Sequence, residues 1–109
     1  MTQEQYTLAV KATSHPFKDE EAYIADLLPL FGEDDCDKHR AEISQVWAAT
    51  HRSMRDIVEA AGCSQRKLAE RFFIPYRTME DWCRGLRISP LYIRLMMQQL
   101  LGLLPPLED

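Results

Sequence analysis

The chain has 109 residues, 46 % of them hydrophobic and 28 % charged, with a formal net charge of −4. That is enough apolar content to bury the core of one small domain, and too much for a disordered tail. No apolar run approaches the roughly 18 residues of a membrane span. The N-terminal Met1-Thr2-Gln3-Glu4-Gln5-Tyr6 has neither the basic nor the apolar region of a signal peptide. Cys36, Cys63 and Cys83 are an odd set at unrelated spacings. They fit neither a zinc site nor a disulfide framework, and predict reduced thiols and a cytoplasmic location.

The first helix is expected over 2–12, with Tyr6, Ala9 and Val10 on one side. Thr13-Ser14-His15-Pro16 breaks it, because the residue before a proline is steered out of the helical region. Asp19 caps a second helix, with Glu20 and Glu21 in the first turn where negative charge is favoured. Its buried stripe is Ala22, Tyr23, Leu27 and Leu30, and Pro29 and Gly32 end it. Glu33-Asp34-Asp35-Cys36-Asp37 is a charged connection. A third helix follows over about 37–50, with Ala41, Ile43, Val46 and Trp47 as its apolar side.

A break falls at His51 or Ser53, where Ser53 and Asp56 make a weak capping box. Met54, Ile57, Val58 and Ala61 form the apolar face of the next helix, closed by Gly62. Ser64 caps a further helix, whose apolar face is Leu68, Ala69 and Phe72. Ala69 is small where two steeply crossing helices come close. Ile74 plugs the turn, and Pro75 suits a helix start because its φ is preset and it has no amide to leave unpaired. In the following short helix Met79 and Trp82 face back, and Gly85 ends it in a left-handed conformation. Ser89-Pro90 opens the last helix, which carries Leu91, Ile93, Leu95, Met96, Met97, Leu100, Leu101 and Leu104 before Pro105-Pro106 stops it. No segment alternates with period two, so the fold is expected to be all-α.

Residues 64–85 carry the strongest functional signal: two short helices joined by a tight turn, the second apolar on one side and polar on the other. The order Gln65, Ala69, Ile74, Met79, Trp82, Gly85, followed by Ser89-Pro90 and a long apolar helix, resembles the lambda-repressor-like helix-turn-helix (XRE) family. The resemblance runs from Ser53 to Leu104, about half the chain. It implies a helix-turn-helix bundle over 51–104, an acidic N-terminal helical extension over 1–50 packed on that core, and a tail over 105–109. It also implies sequence-specific binding of double-stranded DNA by a small prokaryotic or phage-type transcription regulator, with the helix at about 75–85 in the major groove. The chain departs from the family pattern at Phe73, where the family has glycine. A bulky residue at positive φ is an outlier, so either the turn takes another path or Phe73 packs against something outside the motif.

Charge is segregated in a way that fits this reading. From Arg52 to Gln99 nine basic and five acidic residues give +4, whereas Met1 to His51 carries −6 and the stretch from Leu100 onward −2. The expected base-contacting residues are Tyr76, Arg77, Thr78 and Asp81, at the face of the second helix that enters the groove. Arg77 suits a bidentate contact to guanine, or else a surface ion pair with Glu80 or Asp81. Asp81 faces outward and would accept from a cytosine amino group. Gln65, Arg66, Lys67, Arg84 and Arg87 are the expected phosphate contacts. Leu68, Ala69, Ile74, Met79 and Trp82 form the core of the motif.

Asp34, Asp35, Asp37 and His39 lack the spacing and central glycine of a calcium loop, so no metal site is expected. There is no glycine-rich phosphate loop and no nucleophile elbow, so neither an enzyme nor a bound cofactor is expected. The alternative to DNA binding is a protein-interaction module, such as an antitoxin-like partner-binding protein. The last helix is more apolar than one buried face requires, which a larger intramolecular core or a homodimer would accommodate equally.

Overall fold

Side chains written into the sequence start most of the helices. In the computed structural model, which describes residues 1–108, Thr2 accepts from the Gln5 amide at 3.1 Å and Gln5 Oε1 accepts from the Thr2 amide at 2.9 Å. This capping box opens α1 (Gln3–Ala12). Asp19 accepts from the Ala22 amide at 2.9 Å and opens α2 (Glu20–Leu27). A 3-10 turn (Leu28–Phe31) follows, then α3 (Cys36–His51). Ser53 and Asp56 form the expected reciprocal box, at 3.2 and 2.9 Å, ahead of α4 (Met54–Ala61). Ser64 caps α5 (Gln65–Arg71) through the Lys67 amide at 3.1 Å. Two helices begin after prolines without a side-chain cap: α6 (Tyr76–Arg84) and α7 (Leu91–Leu100). The described residues are all-helical apart from one isolated bridge between Thr2 and Glu108.

The chain divides into two compact units. The first comprises Met1–His51 and the stretch 102–108. Its core gathers Ala9, Tyr23, Ile24, Leu27, Phe31, Ile43, Val46 and Leu104. Tyr23 lies edge-on to Phe17, with centroids 5.4 Å apart, and tilted against Trp47 at 4.9 Å. Its buried hydroxyl donates to the Ala9 carbonyl at 2.7 Å. The Met1 ammonium donates to the buried carboxylate of Glu42 at 2.7 Å, and the Glu108 amide donates to the Met1 carbonyl at 2.8 Å.

Three expectations for this unit change. Ala41 is exposed, and Glu42 is buried in its place because it has the ammonium as partner. Leu30 is exposed and Phe31 is buried, because the chain tightens from α to 3-10 winding after Leu27 and the apolar register shifts with it. The last helix ends at Leu100 rather than Leu104, since Gly102 adopts φ +76 just beyond it, the left-handed position that closes helices. Leu104 is thereby released into the first unit, and the segment expected as a tail belongs to that unit as well.

The second unit is Arg52–Leu101. Met54, Ile57, Leu68, Ala69, Met79, Cys83 and Met97 form its buried cluster, drawn from all four of its helices. Phe72, Ile74, Trp82 and Ile93 are half-buried against that cluster. A polar spine runs beside it: the buried Gln98 accepts from Arg52 at 3.0 Å and donates to the Arg94 carbonyl at 3.1 Å. Arg94 in turn donates to the carbonyl of Ser89 and to its hydroxyl, the latter at 3.0 Å. That pair fixes the segment between α6 and α7. Burial pulls the Arg94 guanidinium below its ordinary pKa.

Candidate nucleic-acid interface

The connection between α5 and α6 is built from backbone hydrogen bonds. The Phe73 amide donates to the Glu70 carbonyl at 3.3 Å, and the Ile74 amide donates to the Ala69 carbonyl at 2.9 Å. These two bonds are the Schellman closure, which needs a left-handed residue at its apex. Phe73 supplies it, at φ +57. The turn therefore keeps the left-handed path in spite of its bulky residue, and the Phe73 ring is 93 % exposed.

Pro75 then starts α6, and no side chain caps its first turn. The amides there remain available to an anion, at the positive end of the helix dipole. Met79 is fully buried, and Cys83 sits one turn on with its sulfur 3.9 Å from that of Met79. The inward line of α6 is thus Met79–Cys83, with Trp82 on its shoulder rather than at its centre. An apolar face drawn through Met79 and Trp82 alone omits Cys83, although its four-residue spacing from Met79 carries the signal. Burial pushes its thiol up, against a smaller downward pull from Arg55.

The polar face holds the arginines. Arg77 is exposed, with Nε 3.6 Å from Asp81 Oδ1. Arg84 is exposed and lies 4.0 Å from Glu80. Arg87, past the end of the helix, is exposed and lies 3.6 Å from Asp81 Oδ2. Pairs in which one partner is so open are worth about 0–1 kcal/mol, so a phosphate or a base edge can compete for each guanidinium. Arg66 and Lys67 are exposed on α5, and Gln65 beside them is half-buried. The Arg66 guanidinium lies over the Tyr76 ring, 4.1 Å from its centroid.

Two expectations about this face need correction. Asp81, read as outward-facing and base-contacting, is only 8 % exposed. Its carboxylate lies between Arg77 and Arg87, and its carbonyl accepts from the Leu86 amide at 2.9 Å and the Arg87 amide at 3.4 Å. It organises the helix exit and aims two arginines. The segment after α6 folds back over Asp81, which a helical-wheel reading of α6 alone does not include. Tyr76 and Thr78 are half-buried rather than outward-facing, and the Tyr76 ring packs against the core cluster.

Leu68, Ala69 and Met79 are buried and Ile74 is half-buried. Among the described residues no three His, Cys, Asp or Glu side chains converge on a possible metal site. No described helix is long and apolar enough to cross a membrane. Comparison of the chain with protein-family models, with curated proteins and with solved structures finds no match.

Proposed function

We propose that this chain is a sequence-specific double-stranded-DNA-binding protein of the lambda-repressor-like helix-turn-helix type, a small prokaryotic or phage-type regulator of transcription acting in the cytoplasm. The observation that carries the reading is α6. It is a nine-residue helix with an uncapped N-terminus, joined to α5 by a tight left-handed turn. It presents Arg77 and Arg84, with Arg87 just beyond, on a unit whose net charge is +4. A helix of this size fits the major groove. Arg77, near its N-terminal end, is the candidate for guanine. Arg84, Arg87, Arg66 and Lys67 are candidates for phosphates, with Gln65 at the start of α5. Asp81 takes no base in this scheme and holds Arg77 and Arg87 in place. The other reading, a module that binds another protein, draws on one observation: the exposed apolar side chains Tyr92, Met96 and Leu100 along α7.

The test is retention on a random-site DNA library, followed by salt titration on the selected sequence. Arg84→Ala is expected to weaken binding to all sequences about equally and to lower the salt slope by about 1. Arg77→Ala is expected to relax the choice at one base pair, losing roughly 1–3 kcal/mol of discrimination. If the native chain selects no sequence and neither variant alters its retention, the proposal is wrong.

A further inference from the structure

The segment between α6 and α7 holds two large aliphatic side chains out in water. Leu86 is 64 % exposed and Ile88 91 %. They bracket Arg87, and Arg84 stands just before the turn at Gly85. Single exposed aliphatic residues are ordinary on a protein surface. This pair differs in how firmly the backbone beneath it is held. The amides of Leu86 and Arg87 both donate to the Asp81 carbonyl, at 2.9 and 3.4 Å. On the other side Arg94 donates to the carbonyl and the hydroxyl of the buried Ser89. That second anchor is costly. Among the described residues no carboxylate pairs with the part-buried Arg94 guanidinium, and its Nε is buried without a hydrogen-bond partner. A desolvated charge and an unsatisfied donor each lower stability. The fold gives up stability to keep this loop in one shape, with its aliphatic side chains facing solvent.

We infer that Leu86 and Ile88 form an apolar wedge that enters the minor groove beside the major groove occupied by α6, and opens a base step there. The inference rests on the DNA-binding reading of α6. A helix that reads bases with its N-terminal end brings its C-terminal end to the sugar–phosphate backbone. Across that backbone lies the minor groove. Arg84, in the last turn of α6, and Arg87 beyond it are the candidate phosphate contacts at this end, so the loop that carries Leu86 and Ile88 is set at the minor-groove edge. Leucine and isoleucine insert between base pairs in other minor-groove contacts, at an unstacking cost that the added contact surface offsets. Arginine beside them is drawn to the negative potential of that groove. A loop already held in one shape loses little conformational freedom on insertion. Pyrimidine–purine steps unstack most readily. The wedge therefore adds a preference for TA or CA/TG at a flanking position that no hydrogen bond reads.

The test uses the full chain and the duplex it selects from a random-site library, with a fluorescent adenine analogue placed at each flanking step in turn. The analogue brightens when its base is unstacked. The native chain is expected to raise its fluorescence severalfold at one step, and the selected sequences are expected to carry a pyrimidine–purine step there. Leu86→Ser combined with Ile88→Ser is expected to abolish the rise and flatten the flanking preference, while the base choice assigned to Arg77 stays. Far-UV circular dichroism and melting of the free variant should not change, since both side chains lie in water. A selected duplex with no rise at any flanking step overturns the wedge and leaves the groove reading of α6 standing. So does a rise that the double variant retains. A chain that selects no duplex overturns the reading of α6, and the wedge falls with it.

Discussion

Two helix exits in the second unit use the same hydrogen bonds and differ in one residue. At the end of α5, Phe73 and Ile74 donate back to Glu70 and Ala69; at the end of α6, Gly85 and Leu86 donate back to Trp82 and Asp81. Both apex residues are left-handed, at φ +57 for Phe73 and +79 for Gly85. Glycine holds that conformation without strain. Phenylalanine does not, and nothing local compensates, because its ring lies almost wholly in water. The backbone closure therefore needs no side chain at the apex. Gly85 serves the fold alone, whereas Phe73 retains a costly feature whose only outlet is the surface.

The largest effect should come from the helix between the exits. Met79 is fully buried and anchors α6 to the cluster beneath both turns. Met79→Ala is expected to destabilise the second unit by about 2–5 kcal/mol, through lost transfer energy and the cavity left behind. Chemical denaturation followed by Trp82 fluorescence would read it; Trp47 in the first unit is replaced by Phe to keep the signal specific. A loss under about 1 kcal/mol would mean that α6 is not held by its Met79–Cys83 line.

Gly85→Phe makes the second exit like the first. A Cβ at Gly85 meets no heavy atom within 4 Å, so the first atom of the new side chain has open space. The strain of about 1–2 kcal/mol is partly offset by the lower entropy of the unfolded chain, for a net loss of about 1 kcal/mol. Denaturant midpoints at unchanged slope would check it. No loss at all would mean that left-handed phenylalanine costs nothing here, and the argument from Phe73 would lose its force.

What the sequence made legible follows from how local each cause is. Asp19, Ser53 and Ser64 act within three residues of themselves, and each caps the helix it was expected to cap. Gly85 is equally local. Glu42 and Asp81 are different: one is buried by an ammonium 41 positions away, the other by a segment that folds back after its helix ends. No periodicity within α3 or α6 encodes either event. Gly102 was legible in principle, but the apolar residues on both sides of it read as one continuous helix. At the candidate interface, the exposure of Arg77, Arg84 and Arg87 could be read from the wheel of α6 and the turn after it. The placement of Tyr76 under Arg66 could not, because it depends on how α5 and α6 cross.

Phe73→Gly is the smallest expected change and the most discriminating. Removing the left-handed strain returns about 1–2 kcal/mol, and the added freedom of glycine in the unfolded chain takes back about 0.5–1. Because the ring is so exposed, its loss sacrifices little packing. The protein should therefore gain about 1 kcal/mol, seen as a higher denaturant midpoint. A gain in stability separates a residue kept for a surface from one kept for the fold. If Phe73→Gly destabilises the monomer, the ring supports its own unit and the contrast between the two exits disappears. The exchange variant Phe73→Gly with Gly85→Phe sharpens the point. It carries the same backbone strain and the same ring at the other exit, so stability should stay near the native value. A loss of more than about 1 kcal/mol in the exchange variant would show that the two exits do not carry the same strain.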